Sequence, residues 1–189
     1  MRRAKWLVLC DIRAVGALDE HKEYIVPGYL MTVIPSEIRK QQITLLDESL
    51  LTHAEIKRQH SEVSGLYEIF LTKLSKKLNN HHGERFSCRG WEIILGPWLK
   101  LYLDTLYYRW KMLERILEQG IDGVFVCDVI EPQSRSIPLS RKQFVDDNVH
   151  SVRWNQFITS MMVTNLIKER GDKIDLVRCK SFLYRNGVS

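Results

Sequence analysis

The chain is expected to fold as α/β: a Rossmann-like layered lobe with a parallel sheet and unusually long helices. Three observations lead there. Two short apolar runs, Lys5–Asp11 and Gly123–Ile130, each contain a strand-length apolar stretch that leads into an aspartate. Between them lie two long stretches whose apolar residues recur at helical spacing. Strands that alternate with helices are the pattern of a parallel sheet covered by helices. At 189 residues, one compact α/β domain over 1–189 is the default, and a sizeable core can be buried.

Taken in order, Lys5–Asp11 is long enough for a buried strand and too short for a typical helix. The next apolar run, Glu23–Ile34, is broken by Pro27–Gly28, so its flanks read as strand around a turn. Thr52 with Glu55 fits a capping box. Ile56, Val63, Tyr67, Phe70, Leu74 and Leu78 then follow at three-, four- and seven-residue steps, giving one apolar face. Asn79–Asn80 and Gly83 supply the stop, which predicts one long helix from about Thr52 to Asn80.

The stretch Arg89–Trp110 is the densest in aromatic and aliphatic residues, and Gly96–Pro97 sits inside it. Proline within a helix removes a hydrogen bond and clashes with the preceding turn, but it suits the first helical position. A structural break is therefore expected at Gly96–Pro97: a short helix through Trp91, Ile94 and Leu95 that ends or kinks at Gly96, then a second one starting at Pro97. Leu99, Leu103, Leu106, Trp110, Leu113 and Leu117 form a stripe expected to be core, with the stop at Gly120. Gly123–Ile130 reads as a strand, Glu131–Gln143 as a loop, and Val152, Phe157, Met161, Leu166 and Ile167 as a further helix stopping near Gly171. A final strand is expected within Lys173–Tyr184.

Several function classes lose their usual support. Arg89, Glu92, Lys100, Asp104 and Arg109 interrupt every window long enough to span a bilayer, so no transmembrane segment is expected. The basic start "MRR" leads into an apolar run that ends at Asp11 with no cleavage site, and the chain is read as cytoplasmic, with a peripheral place at the inner membrane open to it. Cys10, Cys88, Cys127 and Cys179 are far apart in sequence and make no CxxC pair, which suits reduced thiols; no metal and no cofactor are expected. The net charge of +5 is mildly biased toward the end of the chain. No nucleic-acid module accompanies it, so nucleic acid is not expected as a partner. There is no GxGxxG, Walker A, HExxH or GxSxG sequence.

The candidate binding residues each carry two readings. Asp11 and Asp128 would sit at the C-terminal ends of strands, the edge where open α/β sheets bind ligands; either could hold a hydroxyl or a metal, or cap a helix. Arg89, Trp91 and Trp98 could bind an anionic sugar or nucleotide, the guanidinium gripping phosphate and the indoles stacking, or they could simply pack. His82, beside His81 and Gly83, could act as a base or bind phosphate, or be a polar helix end. Tyr107, Tyr108 and Arg109 should straddle a helix. The expectation is that Arg89, Trp91 and Trp98 lie near a cleft with His82 and Arg109.

The same stretch resembles a known family. Leu78, Asn79, His82, Gly83, Ser87 and Arg89 are followed by Trp91, Ile93, Leu95, Gly96, Pro97, Trp98 and Leu99, then by Tyr107 and Arg109. This pattern is similar to the most characteristic stretch of a bacterial family of transferases encoded in O-antigen and surface-polysaccharide clusters. Gly90 departs from it, standing where an aromatic residue is usual. The resemblance is specific over about Thr52 to Asp128. It implies a two-lobed, glycosyltransferase-like architecture in which this chain is the N-terminal, acceptor-side lobe and a later half binds the donor. The implied partners are a nucleotide-sugar donor or a phosphorylated or lipid-linked saccharide acceptor, together with a second lobe or partner chain. Catalytic residues are not assigned by the resemblance, and the chain alone is expected to be catalytically incomplete. The alternative is a noncatalytic binding or interaction module left by a truncated or split gene.

Overall fold

The computed structural model describes residues 2–28, 43–46, 52–128, 142, 145 and 151–179. Five strands appear in chain order as β1 (Ala4–Val8), β2 (Lys22–Pro27), β3 (Ile43–Leu46), β4 (Gly123–Cys127) and β5 (Asp175–Cys179). Three long helices, α1 (His53–His82), α2 (Cys88–Glu118) and α3 (Val152–Arg170), and a 3₁₀ turn at Ile12–Ala14 complete the described elements. The strands form one sheet in the order β3-β2-β1-β4-β5, and every pairing is parallel. This is the α/β layered fold that the alternation of strand and helix predicts.

β1 is central, and its apolar run is buried on both faces, as parallel strands require. Leu7 and Leu9 face one layer, where Met112, Leu113, Ile116 and Leu117 of α2 meet Val163 and Leu166 of α3. Trp6, Val8 and Cys10 face the other, with Tyr24, Val26, Phe125 and Ile12. Gly123 pairs in register with Trp6, and a Cβ there would lie 2.4 Å from the Trp6 ring. Glycine at 123 therefore lets the indole lie flat across the strand, 4.8 Å from the Phe125 ring.

Helix α1 begins at the expected capping box, with Thr52 and Glu55 satisfying each other's backbone donors, and ends at Gly83 in the left-handed region (φ 69°). It runs antiparallel to α2 and packs on it through Val63, Leu71, Leu99 and Leu103, flanked by Tyr67, Leu74, Trp98 and Tyr107. The turn is stitched by Asn79, whose side chain donates to the Phe86 carbonyl (2.8 Å) and accepts from Trp91 Nε1 (2.7 Å). At the other end of the hairpin Arg115 pairs with Glu55.

The structure corrects the expected break at Gly96–Pro97: α2 runs unbroken from Cys88 to Glu118 with Pro97 inside it. A mid-helix proline costs about 3 kcal/mol and a glycine about 1 kcal/mol relative to alanine. Against that, Trp91, Leu99 and Leu103 are all buried along the same side of α2, each contributing about 1.5–3 kcal/mol. Ending the helix at Gly96 would also orphan the first N–H groups of a new one. Packing outweighs propensity. Strand β3 was not anticipated from the sequence, and β1 and β4 end sooner than their apolar runs. Residues 29–34, the loop at 131–141 and the end of the last expected strand lie outside the described residues.

A 31-residue helix is about 46 Å long and a five-residue strand about 17 Å, so α2 outreaches the sheet. Its C-terminal third lies on the sheet. At the level of Arg109 it meets Asn155 at the start of α3, next to the C-terminal ends of the strands. The rest of α2, paired with α1, projects beyond that edge. Leu113→Ala and Leu103→Ala should each cost about 2–5 kcal/mol in chemical denaturation, while Ile93→Ala, at a side chain 69% exposed, should change stability by less than about 0.5 kcal/mol. A large loss at Ile93 would contradict the packing described.

Candidate functional site

The chain builds outward from β1 through β2 to β3, then returns through the hairpin to place β4 on the other side of β1. Strand order therefore reverses between β1 and β4, the point at which open α/β sheets form a ligand crevice. Asp11 follows β1 and Asp128 directly follows β4, so both stand at this edge.

Their environments differ. The Asp11 side chain is buried; it accepts from the Arg13 backbone N–H (3.0 Å), capping the 3₁₀ turn, and is gripped by the Arg13 guanidinium. That pairing pushes the Arg13 pKa up. Asp128 has 45% of its side chain exposed and lies 4.0 Å from Arg178. Its backbone N–H donates to the Cys179 carbonyl (2.7 Å). Asp128 thus keeps a partly exposed carboxylate, loosely paired with Arg178, while Asp11 is buried and committed to its own turn.

Helix α3 brings a buried polar patch to the same edge. Asn155, Gln156, Thr159 and Ser160 are all essentially inaccessible. Ser160 Oγ accepts from the Cys127 backbone N–H (3.0 Å), and Asn155 Oδ1 accepts from the buried Arg109 (3.2 Å). Gln156 Nε2 and Tyr107 Oη have no hydrogen-bond partner among the described residues. Cys10, Cys127 and Cys179 also gather here. Cys127 and Cys179 are register partners, and the Leu9-to-Phe125 hydrogen bond sets Cys10 beside Cys127. A hydrogen bond from the Cys10 thiol to Cys179, together with burial, raises the Cys10 pKa; the same hydrogen bond lowers that of Cys179. None of the four cysteines forms a disulfide, and among the described residues no His, Cys, Asp and Glu group is arranged to hold a metal ion.

A concavity lies on the hairpin, a pocket of about 500 Å³ between α1 and α2. Tyr67 and Glu68 line it from α1, and Arg89, Glu92, Pro97 and Lys100 from α2. Gly96 forms part of the wall: a Cβ there would lie 2.6 Å from Tyr67 Oη. Arg89 is held by Glu92 at 2.6 Å and Lys100 by Asp104 at 2.9 Å.

The five residues expected around one cleft fall in four places. Arg89 lines the pocket with Gly96 and Pro97. Trp91 is buried in the hairpin turn, its ring 5.4 Å from Phe86 and 6.2 Å from the exposed His82 that ends α1. Trp98 packs in the interhelical core, stacked on Tyr102 at 5.1 Å. Arg109 belongs to the sheet edge; twenty residues of helix separate it from Arg89, about 30 Å. Tyr67, Glu68, Lys100, Asn155 and Gln156 escaped the sequence reading. Tyr67 looked like one more residue of an apolar stripe, and only the antiparallel pairing sets it against Gly96.

The model of the LIC12162 family transferases matches residues 32–185. The chain belongs to that family. No curated protein and no solved structure matches it. The matched span of this LIC12162 family transferase takes in the hairpin, β4, Asp128, α3 and β5, and leaves Asp11 outside.

The thiol environments give an ordered expectation for alkylation of the native protein by iodoacetamide, followed by mass spectrometry. Cys88, exposed at the start of α2, should label first, Cys127 next, and Cys10 only on unfolding. Labelling of Cys10 as fast as Cys88 would contradict the buried thiol pair.

Proposed function

We propose that this chain is the N-terminal, acceptor-side lobe of a glycosyltransferase-like transferase acting in O-antigen and surface-polysaccharide biosynthesis. Membership of a transferase family supports the reaction class. The observation that carries the lobe assignment is the switch point between β1 and β4, with an accessible carboxylate at Asp128 and the hairpin projecting past it. A glycosyl acceptor presents hydroxyl groups, and Asp128 is placed to accept a hydrogen bond from one of them. Arg109 acts as a positioning residue: through Asn155 it ties α2 to the start of α3 and so fixes the edge on which Asp128 stands. Asp11 holds the β1 turn in shape through Arg13. His82, Trp91 and Trp98 serve this reading by shaping the hairpin rather than by touching the reacting sugar.

In this proposal the nucleotide-sugar donor is bound by a second lobe or partner chain. The site works at the cytoplasmic face of the inner membrane, where a phosphorylated or lipid-linked saccharide acceptor is available. The described residues contain no helix long and apolar enough to cross a membrane, which is compatible with peripheral attachment.

Calorimetric titration of the chain separates the parts of the proposal. Asp128→Asn should weaken binding of a saccharide acceptor about tenfold, the loss expected for a hydrogen bond to a charged group, with the melting temperature unchanged. Turnover of a nucleotide-sugar by this chain alone would overturn the assignment of the donor site to a second lobe.

A further inference from the structure

The hairpin pocket stands apart from the sheet edge. Helix α2 passes that edge at Arg109, and Gly96 lies thirteen residues nearer the tip, about 20 Å further out. A pocket so placed does not touch a sugar reacting beside Asp128, yet its volume of about 500 Å³ falls within the range of small-ligand sites.

Its chemistry argues against a phosphate. Phosphate recognition relies on uncompensated cations or converging backbone N–H groups. Here Arg89 is already paired with Glu92 and Lys100 with Asp104, and Glu68 adds another carboxylate. A nucleotide diphosphate would meet acidic oxygens on both helices. The same lining suits a polyhydroxylated ring. Carboxylates and guanidinium stand side by side as acceptors and donors, while Pro97 and the exposed Ile93 offer an apolar patch for the C–H face of a sugar. Desolvation, then Glu92 and Glu68, push the Tyr67 pKa up, so its hydroxyl stays protonated and able to donate.

We propose that the hairpin pocket is a second saccharide-binding subsite, which grips an oligosaccharide acceptor several sugars away from the unit that reacts at the sheet edge. The inference rests on the acceptor-side reading of the chain and deepens it. A monosaccharide cannot reach both places. An acceptor several units long can, and the overhang of the hairpin then selects for length. Arg89 acts through its ion pair with Glu92, as a donor to sugar hydroxyls rather than as a phosphate clamp.

The test applies the full chain to an array of bacterial surface oligosaccharides graded from single sugars to octasaccharides. Wild type should favour the longer members. Gly96→Leu, which drives a side chain into the Tyr67 hydroxyl, and Tyr67→Phe, which keeps the ring, should each lower affinity for the long members, Gly96→Leu by about tenfold or more. Binding of short ones should not change. Asp128→Asn should weaken long and short alike. Circular-dichroism melting checks that each variant folds, and Tyr67→Phe carries the test if Gly96→Leu does not. Binding independent of length, unaltered binding by both hairpin variants, or no binding to any glycan overturns the subsite. So does loss of UDP-glucose binding in Tyr67→Phe, because the pocket would then be a donor site. If only Asp128→Asn loses binding, the subsite falls and the acceptor-side reading stands. If only the hairpin variants lose it, the pocket stands and the role of Asp128 falls.

Discussion

The burial of Met112, Leu113, Ile116 and Leu117 against Leu7, Leu9, Val124 and Val126 is the contact on which the molecule depends. Leu113 and Ile116 are completely inaccessible, and burial of such side chains contributes about 1.5–3 kcal/mol apiece. That contact fixes α2 on the sheet, and α2 is one continuous helix from there to the hairpin turn. Everything beyond the sheet edge, including α1, is held in place by it. The Arg115–Glu55 pair and the Val63–Leu71–Leu99–Leu103 cluster then lock α1 to α2.

This arrangement divides polar chemistry between two levels of one helix. At the lower level Arg109 is buried and spends its guanidinium on Asn155, so it organises the junction of α2 and α3. At the upper level Arg89 and Lys100 are accessible but neutralised by neighbours on the same helix, at three- and four-residue spacing. Surface pairs of that kind add little stability. Their effect here is on what the pocket will accept, because cancelled charge favours an uncharged, hydroxyl-rich ligand over a phosphate. The accessible Asp128 at the sheet edge is the counterpart, a carboxylate paired with Arg178 at the point where strand order reverses.

The fold was legible wherever a local signal agreed with packing. The capping box at Thr52, the left-handed glycines at 83 and 171 and the two apolar runs leading to Asp11 and Asp128 all mark elements that the structure contains. Gly96–Pro97 was misleading because the breaking signal is local, whereas the force that overrides it comes from α1, forty residues earlier in places. The site was less legible for the same reason. Sequence proximity grouped Arg89, Trp91, Trp98 and Arg109, but a helix spreads them over about 30 Å and several faces. Tyr67 and Gly96 are far apart in sequence and touch only because the hairpin is antiparallel. Asn155 and Gln156 lie in a helix of weak amphipathic pattern, where nothing local marks them as buried.

The continuity of α2 through Pro97 decides whether the hairpin can hold a fixed position over the sheet edge. In an unbroken helix the N–H groups of Trp98, Leu99 and Lys100 bond to the carbonyls of Ile94, Leu95 and Gly96. In a helix that restarts at Pro97, with Gly96 as its cap, the N–H groups of Trp98 and Leu99 are orphans, while Lys100 still bonds to Gly96. Amide hydrogen exchange followed by NMR reads them one by one. Protection at Trp98 and Leu99 comparable to that at Leu103 is the result expected here; rapid exchange at both, flanked by protected amides, would show two helices joined by a hinge and contradict the account.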